Sequence, residues 1–158
     1  AAGFEVVSVE LRGWAQASKD AMALIAAEAY EANGHLLGSG KLGADVRRRL
    51  EGGARTTAAE RSRLEIARQS WKGELARAFD AAPLIATPVL SGFPPPLSDP
   101  ELMYSLRQTP SVNLAGVPAL ALPVPTEAGF PTSLQLIGPP GSEEVLLATG
   151  RVLEPAAG

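Results

Sequence analysis

Proline placement divides this chain. Residues 1–82 contain no proline, whereas residues 83–140 hold 13 of the 14. Proline lacks an N–H and fixes φ, so it is excluded from helix interiors and central strands. The first stretch is therefore free to be helical, and the second is confined to strands, turns and loops. Charge follows the same boundary. Of 14 basic and 17 acidic residues, 12 and 11 lie in 1–82, and Arg107 is the only basic residue of 83–140. A last piece, about 141–154, is again proline-free and reads as a terminal helix. A length of 158 residues suits a single domain with a sizeable core.

The elements follow from local patterns. Phe4–Leu11 (FEVVSVEL) alternates like a strand. Trp14–Asn33 reads as an Ala-rich helix with Met22, Ile25, Ala26 and Ala29 on one face, ended by Gly34. Residues 34–43 form a Gly-rich loop, and Asp45–Leu50 a short basic helix stopped by Gly52-Gly53. Thr57-x-x-Glu60 is a capping box. It opens the strongest helix, whose stripe is Leu64, Ala67, Trp71, Leu75, Ala78 and Phe79, with Arg61 and Glu65 as an i,i+4 ion pair. Leu84–Val89 reads as a buried strand before a proline loop, and Pro100–Arg107 as a short helix. Ser111–Gly116 is a turn or short helix, followed by strands at Ala119–Val124 and Thr132–Ile137. Ser142 caps the final helix, with Val145, Leu146, Val152 and Leu153 on its apolar face. Strands interleaved with helices argue for an α/β domain in three layers.

Composition excludes several classes of function. Net charge is −3, so no basic surplus points to nucleic acid. No apolar run reaches membrane-span length. The chain has no Cys and one His, His35, which argues against disulfides, thiolate chemistry and a zinc site built in the usual way. The first residues lack the basic and apolar regions of a signal peptide, so a cytoplasmic location is expected.

Residues 109–138 carry the most specific pattern: Asn113-Leu114-Ala115-Gly116-x-Pro118-Ala119, then Gly129-Phe130-Pro131, then Leu134-Gln135-Leu136-Ile137-Gly138. In this order and spacing the stretch resembles the C-terminal part of the amidase signature family, serine hydrolases that cleave carboxamide C–N bonds. The resemblance implies a mixed β-sheet flanked by helices on both faces, an α/β/α fold. It also implies catalysis by a Ser nucleophile, a cis-bonded bridging Ser and a Lys. Those residues lie upstream in the family, so this chain is expected to be inactive alone. No cofactor is implied. The implied partners are a small-molecule amide substrate in the intact parent, and an upstream amidase segment or a second copy. The alternative is a non-catalytic binding module of the same fold.

The remaining residues fit that expectation. Gly38-Ser39-Gly40-Lys41 has one Ser and reads as a loop, not a nucleophile motif. His35 follows a helix-ending Gly without a G-x-S-x-G partner. In the glutamine-dependent branch of the family, an Arg holds the substrate carboxylate, and Arg48 or Arg49 matches it here. An Arg fork suits a carboxylate. Leu106 stands where that branch has an Asp, which favours a general amidase. Leu106, Arg107, Gln108 and Thr109 are candidates to line the acyl pocket. Asn113, Gly116 and Pro118 read as turn formers, and Gln135, in an apolar strand, demands hydrogen bonds if buried.

Overall fold

The computed structural model describes residues 3–99, 102, 107–127 and 132–154. Helices α1 (Trp14–Asn33), α2 (Ala44–Gly53) and α3 (Ala58–Ala81) fill the proline-free stretch, with a 3-10 turn at Gly34–Leu36. Strand β1 (Ile85–Pro88), helix α4 (Thr109–Ala115), strands β2 (Ala119–Val124) and β3 (Thr132–Ile137), and helix α5 (Glu143–Leu153) follow. The expected helix at Pro100–Arg107 and the Gly129-Phe130-Pro131 piece fall largely or wholly outside the described residues.

The three strands form one sheet in the order β1-β3-β2. Both pairings are antiparallel, so among the described strands the sheet is not mixed. Proline explains the order. Pro88 lies in β1 and Pro123 in β2, the outer strands, while the central β3 contains none. Side chains alternate across the sheet. Ile85 and Ile137 join one core with α1, α3 and α4, built on Ala21, Leu24, Leu64, Trp71 and Leu75. Leu122 and Leu136 face the other way and meet Leu146 of α5. Helices therefore cover both faces, giving an α/β/α arrangement.

Several local expectations change on packing. Phe4–Leu11 is not a strand, because none of the described strands pairs with it. Phe4, Val6 and Val7 are exposed, while Val9 and Leu11 pack on the core. The buried face of α1 is Ala17, Asp20, Ala21, Leu24 and Ala27, with Ile25 exposed. Helices α2, α3 and α4 all pack on α1, and a single-face pattern does not anticipate this. Asp20 is tolerated there because its Oδ1 accepts from Arg63 at 3.0 Å and from Gln16 at 3.1 Å.

Gly34 does not stop α1 in a left-handed conformation; the chain continues with φ −57° and ψ −30° into the 3-10 turn. Gly52-Gly53 does not stop α2 either. Gly53 is buried inside the helix, where a Cβ would lie 1.9 Å from the Ala26 carbonyl oxygen. The Thr57 cap forms as expected, accepting from the Glu60 N–H at 3.2 Å. The Arg61–Glu65 pair is replaced by two others: Arg61 reaches Glu31 of α1, and Glu65 holds Arg68. On α5, Leu146 and Gly150 are buried, whereas Val145 and Val152 are exposed. Ser142 precedes α5 without a side-chain cap, and its buried Oγ has no hydrogen-bond partner among the described residues.

Candidate functional site

The Asn-Leu-Ala-Gly stretch is the short helix α4 and its left-handed end. Pro110 sits in its first turn, where a missing N–H costs nothing. Gly116 ends it at φ 67° and ψ 37°, its N–H donating to the Val112 and Asn113 carbonyls at 3.1 Å. Ser111, Val112, Leu114 and Ala115 are buried. Asn113 is exposed and does not cap the turn with its side chain. Pro118 precedes β2, and its carbonyl accepts from the Gly138 N–H at 3.1 Å, joining the two ends of the motif.

Both tryptophans of the chain hold this turn in place. Trp71 Nε1 donates to the Ser111 carbonyl at 2.7 Å, in a buried bond. Trp14 Nε1 donates to Gln108 Oε1 at 2.8 Å. The two rings meet edge to face with centroids 5.7 Å apart, an arrangement the aromatic quadrupole favours. Gln108 is further fixed by its N–H, which donates to the Val89 carbonyl at 3.0 Å. Sequence reasoning placed Trp71 in a core stripe and Trp14 at a helix start, without linking either to the motif. Two Trp in a chain with 5% aromatic residues were the available signal.

Two depressions flank the turn. A cavity of about 270 Å³ lies between α1, α3 and α4, bordered by Leu24, Glu28, Arg68, Asn113 and Leu114. A larger groove of about 570 Å³ lies beyond Gly116, bordered by Lys72, Leu75, Phe79, Val117, Pro139 and Pro140. Arg68 reaches Glu65 at 3.4 Å, and its buried Nε has no hydrogen-bond partner among the described residues.

The other candidates are placed as follows. Arg48 and Arg49 are exposed on α2, which docks on α1, while Arg47 donates to the Leu37 carbonyl at 2.9 Å. Leu106 lies outside the described residues. Gln135 is buried and donates from Nε2 to Thr87 Oγ1 at 3.1 Å, which meets its need for a partner. His35 is exposed on the 3-10 turn, and Ser39 is exposed with its Oγ accepting from the Lys41 N–H. Neither is gathered into a catalytic cluster. Among the described residues no group of three His, Cys, Asp or Glu is positioned to hold a metal ion. No described helix is long and apolar enough to cross a membrane.

At α3, Arg63 bridges Asp20 and Glu60. The hydrogen bond from Arg63 holds the Glu60 carboxyl below its ordinary range, and the bonds to Glu60 and Asp20 raise the guanidinium further.

The sequence profile of the family described as Amidase matches residues 2–147. The chain belongs to the amidase family. Among curated relatives, the A subunit of glutamyl-tRNA(Gln) amidotransferase from Bradyrhizobium diazoefficiens is 48% identical over 64 residues, which are 39% of this chain and 13% of the relative. The Nitrobacter hamburgensis protein of the same name is 49% identical over 51 residues, 32% of this chain and 10% of its own length. Among solved structures, an allophanate hydrolase of Kluyveromyces lactis superposes with a TM-score of 0.85 at 24% identity, covering 97% of this chain and 27% of that one. A structure described as an amidase superposes with a TM-score of 0.80 at 24% identity, covering 92% of this chain and 36% of that one. The amidase fold is thus shared across almost the whole chain. This chain therefore spans well under half the length of these solved relatives.

Proposed function

We propose that this chain is the C-terminal portion of an amidase signature hydrolase cleaving carboxamide C–N bonds. In this reading it supplies part of the sheet and the wall of the acyl pocket. The Ser–cis-Ser–Lys set is supplied by a segment that precedes it in the fold. The observation that carries this reading is the family match over residues 2–147, together with the motif turn clamped by Trp14 and Trp71. His35, Ser39 and Lys41 are all exposed, which is consistent with catalysis residing elsewhere.

Within the wall, Arg48 or Arg49 receives a substrate carboxylate, and Leu106 and Gln108 border the acyl group. The exposure of both arginines on α2 is compatible with that role. The relatives named for glutamyl-tRNA(Gln) amidotransferase favour an amidotransferase reaction. Leu106, at the position matched to an Asp in that branch, favours a general amidase acting on other small amides. The expected setting is cytoplasmic, with no cofactor.

The test joins this chain, from Ala1, to the portion of the native allophanate hydrolase that precedes its superposed part. The joined polypeptide is expected to hydrolyse small amides. Arg48→Ala or Arg49→Ala should raise KM for amides bearing a carboxylate, on the order of tenfold, and leave neutral amides unchanged. Equal effects on both substrate classes, or none, would remove the carboxylate role.

A further inference from the structure

Gln108 is held at three points. Its N–H donates to the Val89 carbonyl at 3.0 Å, its carbonyl accepts from Ser111 Oγ at 3.1 Å, and its Oε1 accepts from Trp14 Nε1 at 2.8 Å. These contacts close a circuit. Trp14 meets Trp71 edge to face, and Trp71 Nε1 donates to the Ser111 carbonyl at 2.7 Å. Ser111 Oγ then returns to the Gln108 carbonyl. The start of α1 is fixed as well, since the Gly13 N–H donates to Glu74 Oε1 at 3.0 Å. The indole that meets Gln108 is therefore anchored on two sides.

The chemistry of the pair gives the circuit a direction. An indole N–H only donates, whereas a carboxamide has one accepting and one donating end. Turning the Gln108 amide over would set Nε2 against Trp14 Nε1, donor against donor, and leave both without that bond. The NH2 group is thereby held on the side away from the indole. It carries two protons, so it can serve a ligand while also bonded within the protein. Satisfying the indole alone would need only an acceptor, and a carboxylate would serve equally. Glutamine adds a donating end, and the indole fixes where that end lies.

We infer that Trp14 is a positioning residue that locks the Gln108 amide with its NH2 toward the acyl group, so that the site selects acyl groups carrying a hydrogen-bond acceptor. This rests on the amidase reading above, in which Gln108 borders the acyl group. A site built to donate to an acceptor discriminates against the analogue that lacks it, because the donor is then left unpaired.

Two measurements test it. The first is exchange of the Trp14 indole proton by NMR in the 158-residue chain. Gln108→Met, which removes the acceptor, should speed it about tenfold, and Gln108→Glu should leave it slow. Equal exchange in the parent and Gln108→Met would overturn the lock. The second uses the joined polypeptide on methoxyacetamide and butanamide, which differ by an ether oxygen in place of a methylene. Comparing each variant's ratio of kcat/KM with the parent's cancels the amides' intrinsic reactivity. Gln108→Glu should lower that ratio about tenfold, and Trp14→Phe about threefold. Adding Trp14→Phe to Gln108→Glu should lower it no further, because both ends of a carboxylate accept. A Trp14→Phe effect of the same size in both backgrounds would make Trp14 merely structural and overturn the inference. So would an active polypeptide whose ratio Gln108→Glu leaves unmoved. An inactive joined polypeptide would reject the amidase reading and the recognition role with it, and indole exchange would still decide the lock.

Discussion

At the scale of single residues, two glycines constrain the fold for different reasons. Gly116 has φ 67° and open space around the position of a Cβ, so its requirement is purely conformational. Gly53 has ordinary helical geometry, but a Cβ would collide with backbone of α1. Gly116→Ala is expected to cost about 1–2 kcal/mol. Gly53→Ala is expected to cost about 3 kcal/mol, because α1 and α2 must separate to admit the methyl group. Urea unfolding of the two variants checks the order; a Gly53→Ala chain as stable as the parent would contradict the close approach. The sequence suggested Gly116 as a turn former, since Pro118 follows it closely. It misassigned Gly53, because a glycine pair reads as a helix stop unless the neighbouring backbone is known.

At the scale of elements, α1 and α3 are held by a charged bridge as well as by apolar packing. Arg63 spans from Glu60 on its own helix to buried Asp20 on the other. The folded-state pKa of Glu60 is depressed, chiefly by its hydrogen bond from Arg63. Between the folded and unfolded pKa values the unfolded chain binds more protons, so stability falls with falling pH. The Glu60 contribution is therefore fully present above the ordinary glutamate range and is lost as pH drops through the lowered folded value. Urea midpoints across pH 3–7 (about that span) should show this loss in the parent, and Arg63→Gln should flatten it. An unchanged acid limb in Arg63→Gln would reject the bridge.

Helix α3 was legible from Thr57-x-x-Glu60 and its stripe, and β3 from an apolar run without proline. The buried face of α1 was not. Three helices dock on it, so Asp20 is inside and Ile25 outside, a result of tertiary pairing that no single-helix periodicity contains.

At the scale of the molecule, an amidase-type α/β/α arrangement is present in a chain that covers 36% and 27% of the two solved relatives described above. Helix α3 ends at Ala81 and strand β1 begins at Ile85, on either side of Pro83. The motif at Asn113–Ala119 foretold the turn at the heart of the candidate site. What escaped reading was the attachment of that turn. Trp14 and Trp71 are 94 and 40 residues from the groups they bind, and such long-range hydrogen bonds leave no local pattern. The strand reading of Phe4–Leu11 failed for the opposite reason: the local pattern is strong, but none of the described strands pairs with it.

The central claim is that this chain shapes an amidase site whose catalytic groups come from a preceding segment. Ammonia release from small aliphatic and aromatic amides tests it, with the 158-residue chain, the allophanate hydrolase segment and the joined polypeptide assayed in parallel. Turnover by the joined polypeptide alone is the predicted result. Turnover by the isolated chain that survives repurification would contradict it, as would a folded joined polypeptide with none, which would make the chain a binding module of amidase fold.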